Sequence, residues 1–475
     1  MATPVKRRPG SARLARSAVL LLAAFAVLAL TITSQPSKRL RDFDQLFYTT
    51  IAYDLERHGV FSNGIFDQTD STRFRPEPGM FFVPGYPLLI LAAMKLDSRF
   101  GEAVRCSVEG DHGLRDETTC EDYALPVHLA HAFLLAVAVL AFAAAAQLIF
   151  GPGVFWLAGI LATASFAAVR DDLFTFLMTE SLTVAIGSLV MLFALLAWQR
   201  SHLRYSIVSG LLLGLLCLTR PSFVVLCPLL LVLSLLHGRW LAPRPAPRLF
   251  GGMLAFLIAF VVVVSPWIVR NQVSVGKLGL TEEYASAVLI ERLAYNQLTP
   301  GEFVRMFAYC VPVLGDVAFD KESATGPMRR FVYHTPDSIF HAGRNRRDAL
   351  LQQHTRLDPV ISGIVTEDMR ANWWRHLLVS IPIGWCGAWT GGAWALLTLP
   401  LFVLACVHAV RRRRPDLLLY ATPALAMLGL HALLANESTR YNLILIGPYC
   451  AGAAWLIQSM AARVLSRLRV PSPAL

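Results

Sequence analysis

Two carboxylates, Asp42 and Asp44, stand directly after the first membrane-length apolar run of the chain, in the stretch RDFDQLFY at residues 41–48. An acid at the point where a chain leaves lipid has two interpretations. It belongs to a solvated loop end, or it takes a proton or binds a metal at the mouth of a membrane cavity. The other charged residues near apolar runs bear on which interpretation holds.

Further ionisable residues lie at the ends of later apolar runs. A charge near hydrocarbon costs about 2.5–3.5 kcal/mol at a helix centre and less toward the ends, so such groups tend to face polar cavities. A single arginine in a short loop can equally anchor to lipid headgroups. Arginine also presents a planar fork suited to phosphate, and carboxylates take a proton from a hydroxyl or hold a divalent cation. Together they predict a site for a phosphate leaving group on a lipid. The residues are Asp172, which follows Arg170 and Asp171; Glu180; Arg220; Arg270; and Arg440, near Glu437.

The elements that position these residues belong to a chain too apolar for a soluble protein. Its 475 residues are 55% hydrophobic and 16% charged. Since a membrane span needs about 20 apolar residues, we predict an all-α polytopic membrane protein with about ten transmembrane helices. Short apolar stretches at 84–96 and 377–390 either lie at the interface or raise the number to about 11 or 12. The ten runs fall at about 17–33, 127–149, 154–169, 175–197, 205–219, 221–237, 249–268, 393–410, 417–434 and 442–461.

The net charge of +11 indicates topology and not nucleic-acid binding, because the basic residues form short clusters beside the apolar runs. With the N-terminus inside, 17 Lys and Arg residues lie in short cytoplasmic segments, against three in the short connections on the other side. Both termini are therefore predicted in the cytoplasm, with the long segments 34–126 and about 269–376 on the opposite face. We expect the first run to be retained as a signal anchor.

This topology divides the chain into three parts. An N-terminal membrane module covers 1–268, including the first outer loop. An extracytoplasmic region with interfacial helices covers 269–392, and C-terminal membrane helices with a cytoplasmic tail cover 393–475. The fold of 276–390 does not follow from any repeat or periodicity in the sequence.

The eight cysteines show no metal-ligand spacing. Cys106 and Cys120 lie in a polar insert on the outer face, where they are either free or joined by a disulfide. The disulfide would close a loop of about 15 residues, worth about 3 kcal/mol in the chain-entropy model. The other six are interpreted as small buried hydrophobic residues in or beside apolar runs. They are Cys217, Cys227, Cys310, Cys386, Cys406 and Cys450.

Six short motifs, in order and at corresponding topological positions, resemble the GT-C superfamily of membrane glycosyltransferases. They are similar to its branch of protein O-mannosyltransferases and lipid A aminoarabinose transferases. The resemblance covers about 1–275 and 393–461. The motifs are RDFDQLFYTTIAYDLERHGVFSNG at 41–64, FFVPGYPLLILAAMKL at 81–96, LMTESLTVAIGSLVMLFALLAW at 177–198, LCLTRPSFVVLCPLLL at 216–231, VVVVSPWIVRNQ at 261–272 and STRYNLILIGPY at 438–449.

The resemblance implies a role for several residues. Asp44 matches an outer-loop acid that acts as general base or helps to bind metal. Gln45 stands where a second acid often follows, so a two-acid site either uses Asp42, which is predicted to bind substrate, or does not exist. Glu180 matches an acid that binds metal or organises the donor phosphate, with Asp172 as the alternative. Arg220 and Arg440 match positions expected to contact lipid-linked phosphate, and Tyr86 either shapes the sugar pocket or anchors at the interface. Arg270 is predicted to join the substrate-binding residues.

The sequence therefore predicts an inverting glycosyltransferase of a bacterial cytoplasmic membrane. It would pass a hexose or pentose from a polyprenyl-phosphate donor to a hydroxyl of a cell-envelope lipid, polysaccharide or protein on the outer face. A divalent cation is expected only as an option, and no nucleotide cofactor is expected, since no Gly-rich phosphate loop is visible. The alternatives are a flippase for lipid-linked sugars and an O-antigen ligase or polymerase. The latter would use His341 with Arg344 to Arg347.

Overall fold

The structure, a computed structural model, describes residues 9–35, 40, 44–64, 76–111, 114–169, 174–242, 245–319, 321, 325–332, 335–354, 356–413, 415–435 and 439–468. Across these residues the chain is helical and contains no strand. The all-α prediction is therefore confirmed. Asp42 and Asp172 lie outside the described residues, as do Arg170, Asp171 and Glu437.

The α-helices are numbered here in chain order over the described residues. The first half of the chain forms α1 Pro9–Thr33, α2 Gln45–His58, α3 Gly85–Leu96, α4 Ser98–Asp111, α5 Leu125–Phe150, α6 Phe155–Ala168, α7 Glu180–Arg200, α8 Leu203–Cys217 and α9 Leu226–Leu236. The second half forms α10 Ala246–Ser274, α11 Tyr284–Leu293, α12 Pro300–Tyr309, α13 Leu314–Phe319, α14 Ile339–His354, α15 Asp358–Ala388, α16 Ala395–Arg411, α17 Asp416–Leu434 and α18 Ile446–Leu468. Short 3₁₀ turns at Pro221–Val225 and Thr439–Leu445 precede α9 and α18.

All ten predicted apolar runs fold as helices. Within the described residues, eight helical stretches are long and apolar enough to cross a membrane. They are Leu14–Thr33, Leu125–Phe150, Glu180–Arg200, Pro221–Leu241, Ala246–Ser274, Gly392–Arg411, Asp416–Leu434 and Thr439–Ser466. The runs predicted at 154–169 and 205–219 form the shorter apolar helices Pro152–Ala168 and Leu203–Cys217. The chain is thus a multi-pass membrane protein, and the division at residues 268 and 392 stays a prediction.

Small residues let the membrane helices approach closely. Gly210 and Gly214, four residues apart on α8, face α10: a Cβ on Gly210 would stand 2.2 Å from the carbonyl oxygen of Phe256, and one on Gly214 would stand 2.6 Å from Val263. Because lipid gives apolar helices no hydrophobic reason to associate, close backbone packing of this kind supplies the attraction. One large apolar core then runs through α1, α5 to α10 and α16 to α18.

The two outer segments form helices of their own. Helices α2 to α4 pack into a separate core that includes Tyr53, Tyr86 and Phe100. A disulfide joins Cys106 on α4 to Cys120, with Cα atoms 5.5 Å apart, which settles the alternative that the sequence left open. A second disulfide joins Cys310 to Cys386, with Cα atoms 5.0 Å apart, and ties the end of α12 to α15. The interpretation of Cys310 and Cys386 as small hydrophobic residues is therefore wrong, since nothing in the sequence links two cysteines 76 positions apart.

Candidate active site

Two arginines converge on one buried carboxylate at the ends of the membrane helices. Glu180 is the first residue of α7, and its side chain is 1% exposed. Arg220, just before the 3₁₀ turn that opens α9, donates from Nη2 to Glu180 Oε1 at 2.9 Å. Arg440, in the 3₁₀ turn before α18, brings Nε to 3.7 Å from the same oxygen. Residues 260 positions apart thus share a single charge, and only the fold brings them together.

Arg440 extends the cluster to Asp44. Its Nη2 lies 3.3 Å from Asp44 Oδ2, and Asp44 directly precedes α2. Its Nη1 lies 3.1 Å from the sulfur of Met178. The ring of Tyr441 lies under both cations, with Arg220 at 4.6 Å and Arg440 at 5.2 Å from its centroid. The aromatic face stabilises the two like charges side by side. We call Asp44, Glu180, Arg220 and Arg440 the acid–arginine cluster.

Exposure within the cluster rises from Glu180 to Asp44. The side chain of Glu180 is 1% exposed, Arg220 14%, Arg440 27% and Asp44 38%. Glu180 Oε2 is buried and has no hydrogen-bond partner among the described residues. A ligand entering from the surface therefore meets Asp44 first and the two guanidinium groups behind it. Two positive and two negative charges balance within the cluster, so an added phosphate would compete with the carboxylates for arginine donors.

The segment before Glu180 is fixed by side chains from α2 and α5. Gln45 is fully buried, and its Oε1 accepts a hydrogen bond from the backbone N–H of Leu177 at 2.9 Å. His128 and His131 contact the carbonyl oxygens of Thr175 and Phe174 at 3.1 Å. A buried carbonyl needs a donor, so each histidine presents an N–H there. Gln45, which replaces the second acid of the resembled motif, thus positions the chain that leads to Glu180.

Tyr86 belongs to the same support. Its side chain is fully buried, and its hydroxyl lies 2.9 Å from His131 Nε2. Because His131 Nδ1 donates to Phe174, Nε2 accepts from Tyr86. The ring packs edge-on against Tyr48 at 5.1 Å between centroids. The adjacent Gly85 donates its N–H to the carbonyl of Leu218 at 2.7 Å, and a Cβ there would stand 2.6 Å from that oxygen. The predicted direct contact of Tyr86 with sugar stays a prediction.

A cleft beside Arg220 is walled by aromatic rings. Tyr48, Phe81, Phe82 and Tyr284 line it together with Arg220. Phe82 lies 5.2 Å from Tyr48 and 5.9 Å from Tyr284 between ring centroids. Burial raises the pKa of Tyr48 and of Tyr284 above the usual tyrosine value, so both hydroxyls stay protonated. Flat apolar rings with neutral hydroxyls and one cation have the chemistry to contact a sugar phosphate, but the cleft encloses only about 20 Å³, room for about one water molecule.

Sequence reasoning missed Tyr48 and Tyr284 as residues of the cleft. Tyr48 lies in the quoted first motif, and its spacing from Asp44 by one helical turn was an available signal. Tyr284 comes from the outer segment outside the resemblance, where the sequence carried no signal. It begins α11, so this segment contributes a wall of the cleft.

Arg270 does not join the acid–arginine cluster. It donates to the carbonyl oxygens of Gly79 and, at 2.7 Å, of Phe61, and its guanidinium lies over the rings of Phe61 and Trp267. These contacts hold the loop before α3 against α10. Its predicted role in substrate binding remains a prediction, while Asp42 and Asp172 cannot be placed because they lie outside the described residues.

The described residues do not by themselves fit a resident divalent cation. Such cations take several carboxylate or carbonyl oxygens. Here Glu180 Oε1 faces both arginines, Asp44 Oδ2 faces Arg440, and Glu180 Oε2 is the buried oxygen left over. A dication beside two guanidinium groups would be repelled by them. Glu180 therefore acts as a partner of arginine in the described part of the site.

A second set of acids, Glu282, Glu283 and Asp358, has ligand oxygens within 4.8 Å of one another. The oxygens of Glu283 and Asp358 are already used, and Glu282 forms ion pairs with Lys277 and Arg356. Glu283 accepts from the N–H groups of Leu357 and Asp358, and Asp358 accepts from Glu283 N–H and from Ser286. These reciprocal bonds join the starts of α11 and α15, so the set is explained as a helix junction.

Comparison with known proteins gives matches in structure alone. No protein-family model and no curated protein matches the chain. The oligosaccharyltransferase of Archaeoglobus fulgidus, solved in complex with Zn and sulfate, matches with a TM-score of 0.50 and 12% identity, over 94% of this chain and 50% of that chain. The same enzyme tethered to an acceptor peptide also matches at 0.50 and 12%, over 95% and 51%. ArnT from Cupriavidus metallidurans, bound to undecaprenyl phosphate, matches at 0.36 and 15%, over 98% and 82%.

The two matches to the archaeal oligosaccharyltransferase, at a TM-score of 0.50, define the fold. The chain has the fold of the GT-C glycosyltransferases, and the resemblance predicted from six motifs is confirmed at that level. The chain spans about half the length of the archaeal oligosaccharyltransferase.

Proposed function

We propose that this protein is a membrane glycosyltransferase that moves a sugar from a polyprenyl-phosphate donor to a hydroxyl acceptor. The observation that carries the proposal is the convergence of Arg220 and Arg440 on buried Glu180, with Asp44 at the exposed edge. The fold shared with an oligosaccharyltransferase supports it. From the charge distribution of the sequence we expect this site on the outer face of the membrane, taken here to be a bacterial cytoplasmic membrane.

The two arginines bind the donor phosphate and stabilise it as it leaves. A guanidinium fork pairs with phosphate oxygens through charge-assisted hydrogen bonds. In a site screened from water, such pre-aligned donors are worth far more than they are in solution. Glu180 holds both forks in position before the donor arrives, so we assign it as a positioning residue. This assignment replaces a metal as the source of positive charge.

Asp44 acts as the general base. Its exposure lets an acceptor hydroxyl approach from outside while the phosphate occupies the arginines behind it. The acceptor oxygen attacks the anomeric carbon as the bond from that carbon to the phosphate oxygen breaks. The hydroxyl proton passes to Asp44, and the electron pair of the broken bond leaves on polyprenyl phosphate. A single displacement inverts the anomeric configuration.

The aromatic cleft holds the sugar after its walls move apart, because in this structure it encloses only about 20 Å³. Tyr48, Phe82 and Tyr284 stand beside Arg220, so a sugar attached to a phosphate on Arg220 would lie among their rings. Their protonated hydroxyls can donate to sugar oxygens. The acceptor, a hydroxyl of a cell-envelope lipid, polysaccharide or protein, would enter past Asp44.

The test uses the purified full-length protein in nanodiscs with a panel of polyprenyl-phosphate hexoses and pentoses and with envelope extract as acceptor. Release of free polyprenyl phosphate is followed for wild type, for Asp44→Asn and for Asp111→Asn, an exposed outer-face acid outside the cluster. We expect wild type and Asp111→Asn to release product from one donor and Asp44→Asn to bind that donor without release. We also expect release to continue in EDTA.

Donor binding without release by wild type would overturn the proposal and favour a flippase for lipid-linked sugars. Consumption of pyrophosphate-linked donors alone would favour the ligase or polymerase alternative. Loss of release in EDTA, restored by added metal, would show that a divalent cation takes part in the reaction.

A further inference from the structure

A separate cavity lies at the far end of the helix bundle. It has a volume of about 240 Å³ and is enclosed by the ends of α5 and α16, the start of α17 and the middle of α18. Phe150, which lines it, stands 22 residues along α5 from His128 beside the cluster. At 1.5 Å per residue the two ends are roughly 33 Å apart. The cavity is therefore distinct from the candidate active site and lies at the opposite membrane face.

Its lining is basic. Arg412 and Arg463 both contribute, and in the described part of the chain neither side chain has a hydrogen bond or an ion pair. Ser459 adds a hydroxyl and Asp416 one carboxylate. With one acid against two arginines, the cavity has a net charge of about +1, before any charge on histidine. Unpaired guanidinium groups at a concave site favour a phosphate ligand.

One wall of the cavity is aromatic and leads to lipid. Phe150 and Trp455 stack with centroids 4.7 Å apart, and His408 lies 5.1 Å from Trp455. Next to them, Val410 on α16 and Val464 on α18 are 62% and 56% exposed, as expected of side chains that face acyl chains. A headgroup in the cavity could thus keep its acyl chains beside these helices.

We propose that this cavity binds the headgroup of an anionic glycerophospholipid from the leaflet opposite the active site. Arg412 and Arg463 bind the phosphate, and Asp416 accepts a hydrogen bond from a headgroup hydroxyl. The N-terminus of the 19-residue helix α17 lies at the same wall and adds its positive end. Basic pockets between membrane helices are general sites for anionic lipid headgroups. By the charge distribution of the sequence, this leaflet is the cytoplasmic one.

The test is native mass spectrometry of the full chain purified from equal mixtures of phosphatidylglycerol and phosphatidylcholine. Arg412→Gln with Arg463→Gln removes two charges from the cavity. Arg239→Gln with Arg411→Gln removes two exposed charges outside its lining. We expect wild type and the control pair to retain phosphatidylglycerol, and the cavity pair to retain it about tenfold less or worse.

Competition with inorganic phosphate and with glycerol phosphate distinguishes the source of the phosphate. Retained lipid should resist both at millimolar concentration if the acyl chains contribute. Displacement by either would overturn the lipid assignment. Equal losses in the two double variants, or equal retention of phosphatidylcholine by wild type, would overturn the site. If the cavity pair does not fold, Ser459→Leu fills the cavity without removing charge and should likewise reduce phosphatidylglycerol retention; unchanged retention would contradict the proposal.

Discussion

The acid–arginine cluster and the surroundings of Arg292 show two ways of burying arginine. Arg292, on α11, is fully buried and donates to four neutral acceptors. They are the carbonyl oxygens of Ala432 and His376, Asn296 Oδ1 and Ser380 Oγ, at 2.8 to 3.4 Å. Burial lowers the pKa of Arg292 to about 10, which leaves it charged at neutral pH. Arg220 and Arg440 instead meet acids and share one oxygen between them.

The difference teaches how to separate a structural arginine from a binding one. The donors of Arg292 are matched by acceptors on α15, α17 and the 3₁₀ turn Ala294–Gln297 after α11, so a ligand could bind Arg292 only by breaking contacts that hold these elements together. Arg220 and Arg440 pair with Glu180, whose second oxygen is buried and has no hydrogen bond among the described residues. Both arginine side chains are partly exposed. A phosphate can take over their bonds at little structural cost. The prediction is that changes in the cluster alter turnover, whereas changes at Arg292 alter stability.

The largest expected effect is on turnover in Asp44→Asn. Removal of a general base lowers rates by about 10²–10⁴-fold. Because Asp44 is the most exposed member of the cluster, the melting temperature should stay within a few degrees of wild type. Product release with the preferred donor, measured beside thermal unfolding in the same nanodiscs, checks both. If Asp44→Asn is active but less stable than wild type, Asp44 has a structural role, as Arg292 does, and is not the general base.

Next is Arg440→Gln, which removes a cation that aligns the leaving phosphate. Loss of one such donor lowers turnover by about 10²–10³-fold. Arg440→Lys keeps the charge but loses the fork, and should recover only part of the rate. Single-turnover assays at saturating donor distinguish slow chemistry from weak binding. Full activity in both variants would contradict the assignment of Arg440 to the phosphate.

A smaller effect on turnover, but a larger one on stability, is expected for Arg292→Met. The substitution keeps bulk and leaves buried oxygens without donors, at a cost of about 1–3 kcal/mol for each unsatisfied group that cannot relax. We expect a clear drop in thermal stability, with turnover per folded molecule near that of wild type below the transition. The thermal stability of Arg292→Lys should lie between those of wild type and Arg292→Met. Normal stability without turnover in Arg292→Met would show that Arg292 is needed for activity and is not a purely structural arginine.

The smallest effect concerns Glu56, a carboxylate with both oxygens engaged. Its Oε1 accepts from Lys95 at 2.7 Å and from Arg105 at 2.9 Å, and its Oε2 accepts from Arg105 at 2.9 Å. The Arg105 hydrogen bonds lower the pKa of Glu56 to about 2. Its stabilisation is therefore complete above the unfolded-state pKa and is lost as pH falls toward 2.

Thermal unfolding between pH 6 and pH 3 should thus be less pH-dependent in Glu56→Gln than in wild type. Glu102→Gln is the matched control, because that acid also contacts Arg105 but is 55% exposed, and its effect should be smaller. Identical pH dependence of wild type and Glu56→Gln would show that the ion pair contributes nothing measurable. In that case Glu56, whose two oxygens both accept hydrogen bonds, could not serve as a reference for the stability that Glu180 contributes.

The sequence was sufficient for much of this fold because apolar runs and charge asymmetry are local signals. It also identified Asp44, Glu180, Arg220 and Arg440 as candidate site residues, because each lies at an end of an apolar run and the predicted topology puts those ends on the same membrane face. It did not reveal Tyr284 or the Cys310–Cys386 disulfide, because these depend on the packing of short amphipathic helices in the outer segment. The structural role of Arg292 could not be predicted for the same reason. Its acceptors are mostly backbone carbonyls and small polar groups, which produce no charge pattern in the sequence.

The site showed a similar division. Gln45 marked a departure from the resembled motif, and only its contact with Leu177 explains it as a support for Glu180. Arg270 has the charge and the topological position expected of a phosphate-binding residue, yet its guanidinium donates to backbone carbonyls. Charge type and topological position predict which residues reach one face, but the neighbours of each donor decide what it can bind.

The bond from Arg292 to Ala432 has a further consequence. It fastens α11, which carries Tyr284, to the last turn of α17, eight residues before Arg440. A molecule that shifts α11 on the outer surface would therefore also pull on the end of α17 through this link. Whatever free energy this link transmits must be reciprocal: if acceptor changes the affinity for donor by some factor, donor changes the affinity for acceptor by the same factor.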